Sequence, residues 1–127
     1  MLKIKRVYDS AEQQDGYRIL VDRLWPRGVS KEKAAIGLWA RDIAPTPQLR
    51  KSFGHEPEKF PAFSEQYKEE LMGNPSTEAF VSVVREKLAQ GDVTLVYGAK
   101  DTRHNDAVVL EAFLEQRLAA MAGKEKQ

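Results

Sequence analysis

The run Val93-Thr94-Leu95-Val96-Tyr97-Gly98-Ala99 is almost continuously apolar and rich in β-branched and aromatic residues. A strand with one wet face alternates apolar and polar side chains, so an unbroken run of this kind needs cover on both faces, as at the centre of a parallel sheet. Parallel neighbours require long crossovers, and the chain supplies helical patterns between its strand-like segments. The expected fold is therefore α/β: a single layered domain with a small, mostly parallel sheet flanked by helices. Residues 1–127 form one domain in this reading, with about 122–127 as a charged, frayed tail.

The remaining elements follow from periodicity and punctuation. Leu2 to Tyr8 alternates Leu, Ile, Val and Tyr with Lys3, Lys5 and Arg6, which suits a half-buried strand near a sheet edge. Tyr17 to Trp25 reads as a second strand whose charges, Asp22 and Arg23, fall near its C-terminal end, where charges face a mouth rather than a core. Ser30 caps a short helix over Lys31 to Ile36, stopped by Gly37, and Leu38 to Ile43 is a short strand or an extended stretch. A short helix spans Gln48 to Ser52 and ends at Gly54. Phe60, Phe63, Tyr67 and Leu71 share one face of the next helix. Asn74 with Pro75 starts another, whose buried stripe is Phe80, Val84 and Leu88. Asp106 to Met121 is the last helix, with Leu110, Leu114, Leu118 and Met121 on its apolar stripe.

The absence of cysteine excludes a disulfide framework, a thiolate nucleophile and cysteine-ligated metal. No apolar run approaches the ~18–20 residues that span a bilayer, so the expectation is a soluble cytoplasmic protein with no membrane contact. The net charge of +1 conceals an uneven distribution: residues 18–51 carry eight Lys/Arg against three Asp/Glu, and residues 52–92 carry four against eight. Such a division polarises a surface that steers anions, or pairs two patches within or between copies.

Ligands of open α/β sheets bind outside the carboxyl ends of the strands. Three motifs are expected to meet there: Arg23 to Gly28, Trp39 to Asp42, and Lys100 to Asn105. Arg23 and Arg27 flank Trp25-Pro26, so two guanidiniums can close on one anion with two parallel bonds each. The competing structural reading ties these arginines internally to Asp22 and Asp42 and packs Trp25 and Trp39 against the sheet end. Asp101 and His104 form a candidate acid/base pair in which the carboxylate orients the imidazole, with Asn105 or Thr102 capping the helix that follows. A metal set of His55, His104 and either Asp42 or Asp101 lacks HxxxH or HxH spacing, and neither metal nor cofactor is expected. Ser30 and Ser52 lie in no nucleophile elbow, and Gly98-Ala99-Lys100 is no Walker loop.

The same motifs carry a resemblance. Val21-Asp22-Arg23-Leu24-Trp25-Pro26-Arg27-Gly28, Trp39-Ala40-Arg41-Asp42-Ile43-Ala44-Pro45, Leu49-Arg50-Lys51, Phe53-Gly54-His55, and Thr94 to Asp101 with His104-Asn105 stand in matching order along nearly the whole chain. On these the sequence resembles the YeaO-like branch of an uncharacterised bacterial family, domain of unknown function 488. That resemblance implies a single α/β domain and no particular activity, cofactor or catalytic residue.

The leading expectation is a hydrolase- or transferase-type enzyme acting on a phosphorylated or nucleoside-like anionic molecule. Asp42, Asp101 and His104 are its candidate catalytic residues, and Arg23, Trp25, Arg27, Trp39, Lys100 and Asn105 its candidate ligand contacts. The alternatives are a nucleic-acid-binding module, with Trp25 and Trp39 as stacking platforms on the basic segment, and a non-catalytic homo-oligomeric protein.

Overall fold

The computed structural model describes residues 1–125. The strands β1 (Leu2–Arg6), β2 (Tyr17–Leu20), β3 (Leu38–Trp39) and β4 (Val93–Tyr97) form one sheet in the order β1-β4-β2-β3, and every pairing is parallel. The apolar run beginning at Val93 thus lies between two strands: Leu95 faces Ile4 on one side and Ile19 on the other. All five residues of β4 are buried, and β1 takes the sheet edge that its alternation forecast.

The two faces of β4 meet different layers. Val93, Leu95 and Tyr97 enter the main core with Phe63, Tyr67 and Leu71 of α3 (Phe60–Gly73), Val81 and Val84 of α4 (Thr77–Leu88), and Leu110 and Leu114 of α5 (Asp106–Glu125). Val96 points the other way, into a smaller cluster with Val7 and with Ala34 of α1 (Lys31–Ala34). On that same side Thr94 donates its hydroxyl proton to the Asp15 carbonyl at 2.7 Å. Three long helices therefore cover one face, while a four-residue helix and loops cover the other.

Local signals account for most element boundaries. Ser30 caps α1 by accepting from the Lys33 amide, and Thr46 caps α2 (Pro47–Phe53), which Gly54 ends in the left-handed conformation. Several boundaries differ from the sequence reading. The second strand stops at Leu20 because Asp22 to Trp25 turn away from the sheet, and Arg41–Ile43 forms a 3-10 turn where an extended stretch was expected. Ala35, not Gly37, provides the left-handed end of α1. Asn74 accepts from the Ser76 amide in a tight turn, so α4 begins at Thr77 instead of at Pro75. The last helix continues to Glu125, so 122–125 of the expected tail are helical, and residues 126 and 127 lie outside the described residues.

Gly16 makes the entry into β2 possible. Its φ of 67° and ψ of −133° suit glycine, and a Cβ there would lie 2.0 Å from the Asp92 carbonyl oxygen. Gly28 also has positive φ, 73°, but nothing lies within 4 Å of the corresponding position. Gly16→Ala is therefore expected to cost about 3 kcal/mol or more and Gly28→Ala about 1 kcal/mol. Urea unfolding of the two variants checks the order.

Candidate functional site

The outer ends of β2 and β4 converge on Asp22. Its backbone is held by the Trp39 indole, which donates to the Asp22 carbonyl at 2.8 Å, and its carboxylate accepts from the Gly98 amide at 2.8 Å. Gly98 permits this approach, since a Cβ there would sit 3.3 Å from Asp22 Oδ2. Across from Asp22 stands Asp106, the first residue of α5. Asn105, buried ahead of it, caps that helix by accepting from the Val108 amide at 3.0 Å while its own amide donates to the Asp101 carbonyl at 2.9 Å. The Asp22 carboxyl faces that of Asp106 closely enough to favour a proton on it.

These two carboxyl groups line a cavity of about 310 Å³. Pro45, Phe53 and Phe63 supply apolar wall, and Arg50, Lys51 and His55 contribute cationic or titratable groups from α2 and the turn after it. The wall is rigid: Phe53 stacks on Phe63 with centroids 4.5 Å apart, and the Glu70 carboxylate accepts from the Thr46 amide at 3.0 Å and its hydroxyl at 2.6 Å. His55 follows Gly54 with a φ of 58°, a left-handed residue that brings the chain back along the cavity wall. Arg50 and Lys51 are exposed and form no side-chain hydrogen bond or ion pair among the described residues.

Of the nine residues singled out from sequence, only Asn105 lines this cavity. Arg23 lines a second recess and is occupied internally, though by carbonyls and not by the carboxylates of Asp22 and Asp42: it donates to Pro45 at 3.1 Å and Ala44 at 3.0 Å. Trp25 donates to the Val29 carbonyl at 2.7 Å and meets Trp39 edge to face at 5.4 Å, while Arg41 covers the Trp39 ring at 4.6 Å. Both indoles are thus held in packing contacts. Arg27, Lys100 and Asp42 are exposed outside the cavity lining.

Asp101 and His104 do form the expected pair, with Oδ2 and Nδ1 2.8 Å apart. Asp101 Oδ1 also accepts from the amides of Arg103 at 2.9 Å and His104 at 3.1 Å. The Arg103 amide first, and then the His104 side chain, hold the Asp101 carboxyl below its usual range. The His104 ring meets Phe60 edge to face at 5.2 Å, outside the cavity lining.

Comparison with known proteins places the chain in a family. The model described as "Inactive DUF488-N3 subclade" matches residues 1–127. The chain belongs to the DUF488-N3i family. It is 44% identical over 113 residues to "Uncharacterized protein YeaO" of Escherichia coli K12, covering 89% of this chain and 96% of the relative. It is 34% identical over 116 residues to "Uncharacterized protein Rv3073c" of Mycobacterium tuberculosis H37Rv, covering 91% of this chain and 95% of the relative. No solved structure matches it. The family resemblance carried by the motifs is thereby established.

What sequence reasoning missed in this DUF488-N3i chain is the cavity's own composition. From sequence Asp22 reads as a charge at a strand mouth and a partner for arginines, Asp106 only as the start of a helix, and Arg50 and Lys51 as part of the basic segment and of a resemblance motif. The available signal was Asp22 itself, a charge just past a buried strand, which is where such charges face a mouth. For Asp106 no local signal distinguishes an ordinary helix-start carboxylate from one facing a second carboxyl.

Burial pushes the Asp106 carboxyl well above the usual carboxylate range; the Asp22 charge and hydrogen bond push it further, against the opposing Ala107 amide. The folded chain therefore retains a proton that the unfolded chain releases near its ordinary value of about 3.9. Stability at this site is greatest below that value and falls as pH rises through the raised one. Asp106→Asn copies the protonated form and removes the dependence. Its stability relative to the parent chain is expected to improve as pH rises above about 4, the ordinary carboxylate value, as read by urea unfolding across a pH series.

Proposed function

We propose that the chain binds a small phosphorylated molecule of the sugar phosphate or nucleotide class in this cavity. The phosphate sits against Arg50 and Lys51, and the polar body of the ligand lies over Asp22 and Asp106 between Pro45, Phe53 and Phe63. One observation carries the reading: a cavity of about 310 Å³ has unpaired cations on one wall and a carboxyl pair on another. That size is at the lower end of small-molecule sites, which run roughly 300–1,000 Å³. Arginine meets a phosphate with parallel charged hydrogen bonds, and lysine adds a point charge beside it. The family description as an inactive subclade supports retention without turnover.

A second reading is favoured by the two carboxyl groups, Asp22 and Asp106, that face each other in this cavity. Two carboxyl groups close enough to influence each other's protonation are an arrangement used for general acid–base work. In that case Asp106 donates a proton to a leaving group and Asp22 accepts one from an attacking hydroxyl or water. Product formation on incubation separates turnover from binding alone.

Calorimetric titration with ribose 5-phosphate and with ribose tests the primary reading. Ribose 5-phosphate is expected to bind and ribose not. Arg50→Ala combined with Lys51→Ala is expected to weaken the phosphate ligand about tenfold or more, since a charged hydrogen bond contributes about 1.5–3 kcal/mol. Equal weakness of the two ligands, or an unaffected double variant, overturns it.

A further inference from the structure

Charge pairing across the fold is uneven. Asp15, buried under β1 and β2, has Arg18 at 2.7 Å and Lys5 at 3.2 Å. Asp92 pairs with the terminal ammonium at 2.9 Å and with Lys3 at 3.2 Å. Asp101 has His104, and Glu78 has Arg117. Asp22 and Asp106 differ from all of these. Among the described residues neither forms a salt bridge, and each faces the other with only amide donors, Gly98 and Ala107, as further partners.

Two carboxyl groups facing each other beside apolar walls repel once both ionise, and burial raises the cost. A fold gains nothing in stability from such an arrangement. The compensating cation that Asp15 finds within the chain is missing here, although the site opens on a cavity where a ligand can deliver one. Arg50 and Lys51 line the same cavity without reaching salt-bridge distance of either carboxyl. The cavity therefore presents acid at one place and base at another, a division that matches a molecule with the opposite polarity.

We propose that the phosphorylated ligand also carries an amino group, seated as an ammonium between Asp22 and Asp106 while its phosphate meets Arg50 and Lys51. The ligand class is thus a zwitterionic phosphorylated amine, such as an amino sugar phosphate. This rests on the phosphate-binding reading above and adds to it the identity of the other end. An ammonium offers three donors to carboxylate oxygens that an alcohol satisfies with only one uncharged donor. Discrimination against the alcohol follows from leaving the two carboxyl groups without a counter-charge.

Glucosamine 6-phosphate and glucose 6-phosphate form a matched pair, differing at one carbon by ammonium against hydroxyl. Calorimetric titration of the unaltered chain is expected to show the amine binding at least about tenfold more tightly, the range of one charge-assisted contact. Asp22→Asn is expected to shrink that ratio severalfold. If the two phosphates bind equally, or glucose 6-phosphate binds more tightly, the amine assignment is overturned while phosphate binding stands. If neither binds, the phosphate reading falls and this inference with it. The ratio in the unaltered chain is decisive even where the variant fails to fold.

Discussion

Everything at the candidate site depends on β4 lying between β1 and β2. That single placement sets Val96 beside Leu20, so the chain leaving β2 and the chain leaving β4 emerge side by side. Their first turns are then close enough for the Gly98 amide to reach the Asp22 carboxylate. The loop after β4 is short, and α5 must begin near the same end of the sheet, which brings Asp106 to face Asp22. A parallel order with another strand between β4 and β2 would add at least one further strand spacing, about 4.8 Å, between these residues.

The Asp106 carboxyl lies where burial opposes its charge, yet its surroundings are well satisfied. Asn105, Trp39 and Thr46 each use their polar groups on backbone or on neighbouring side chains, and Phe53 and Phe63 close the wall by stacking. Around this cavity the polar conflict is thus concentrated in two carboxyl groups. Concentrating an unfavourable contact in a supported cavity is the pattern that binding sites share, because the ligand relieves what the fold cannot. The same chain neutralises Asp15 with two cations, which shows that its sequence has the means to pair a buried carboxylate where no cavity requires otherwise.

Much of the fold was legible in residue patterns. The apolar run from Val93 marked a central parallel strand, Ser30 marked a helix start, and the spacing of Phe60, Phe63, Tyr67 and Leu71 marked a buried helical face. Local chemistry decides such features, so local sequence reveals them. The site was far less legible. The Asp101–His104 pair was within reach because its members lie three residues apart in one loop. Arg23, Trp25 and Trp39 are ambiguous in sequence because arginine and tryptophan serve both recognition and packing, and only the tertiary structure places their donors on the carbonyls of Ala44, Pro45, Val29 and Asp22.

By itself the sequence determined the class of fold, the order of its helices and strands, and membership of its family, because hydrophobic periodicity, capping residues and motif order are properties of short segments. Tertiary structure alone decided which charges meet. Asp22 and Asp106 stand 84 positions apart in the chain, and Arg50 between them belongs to a separate helix. Nothing in their immediate neighbours distinguishes a solvated carboxylate from one facing its like. That distinction arises from strand order and helix packing, which bring distant segments together and remove the water that would otherwise screen them.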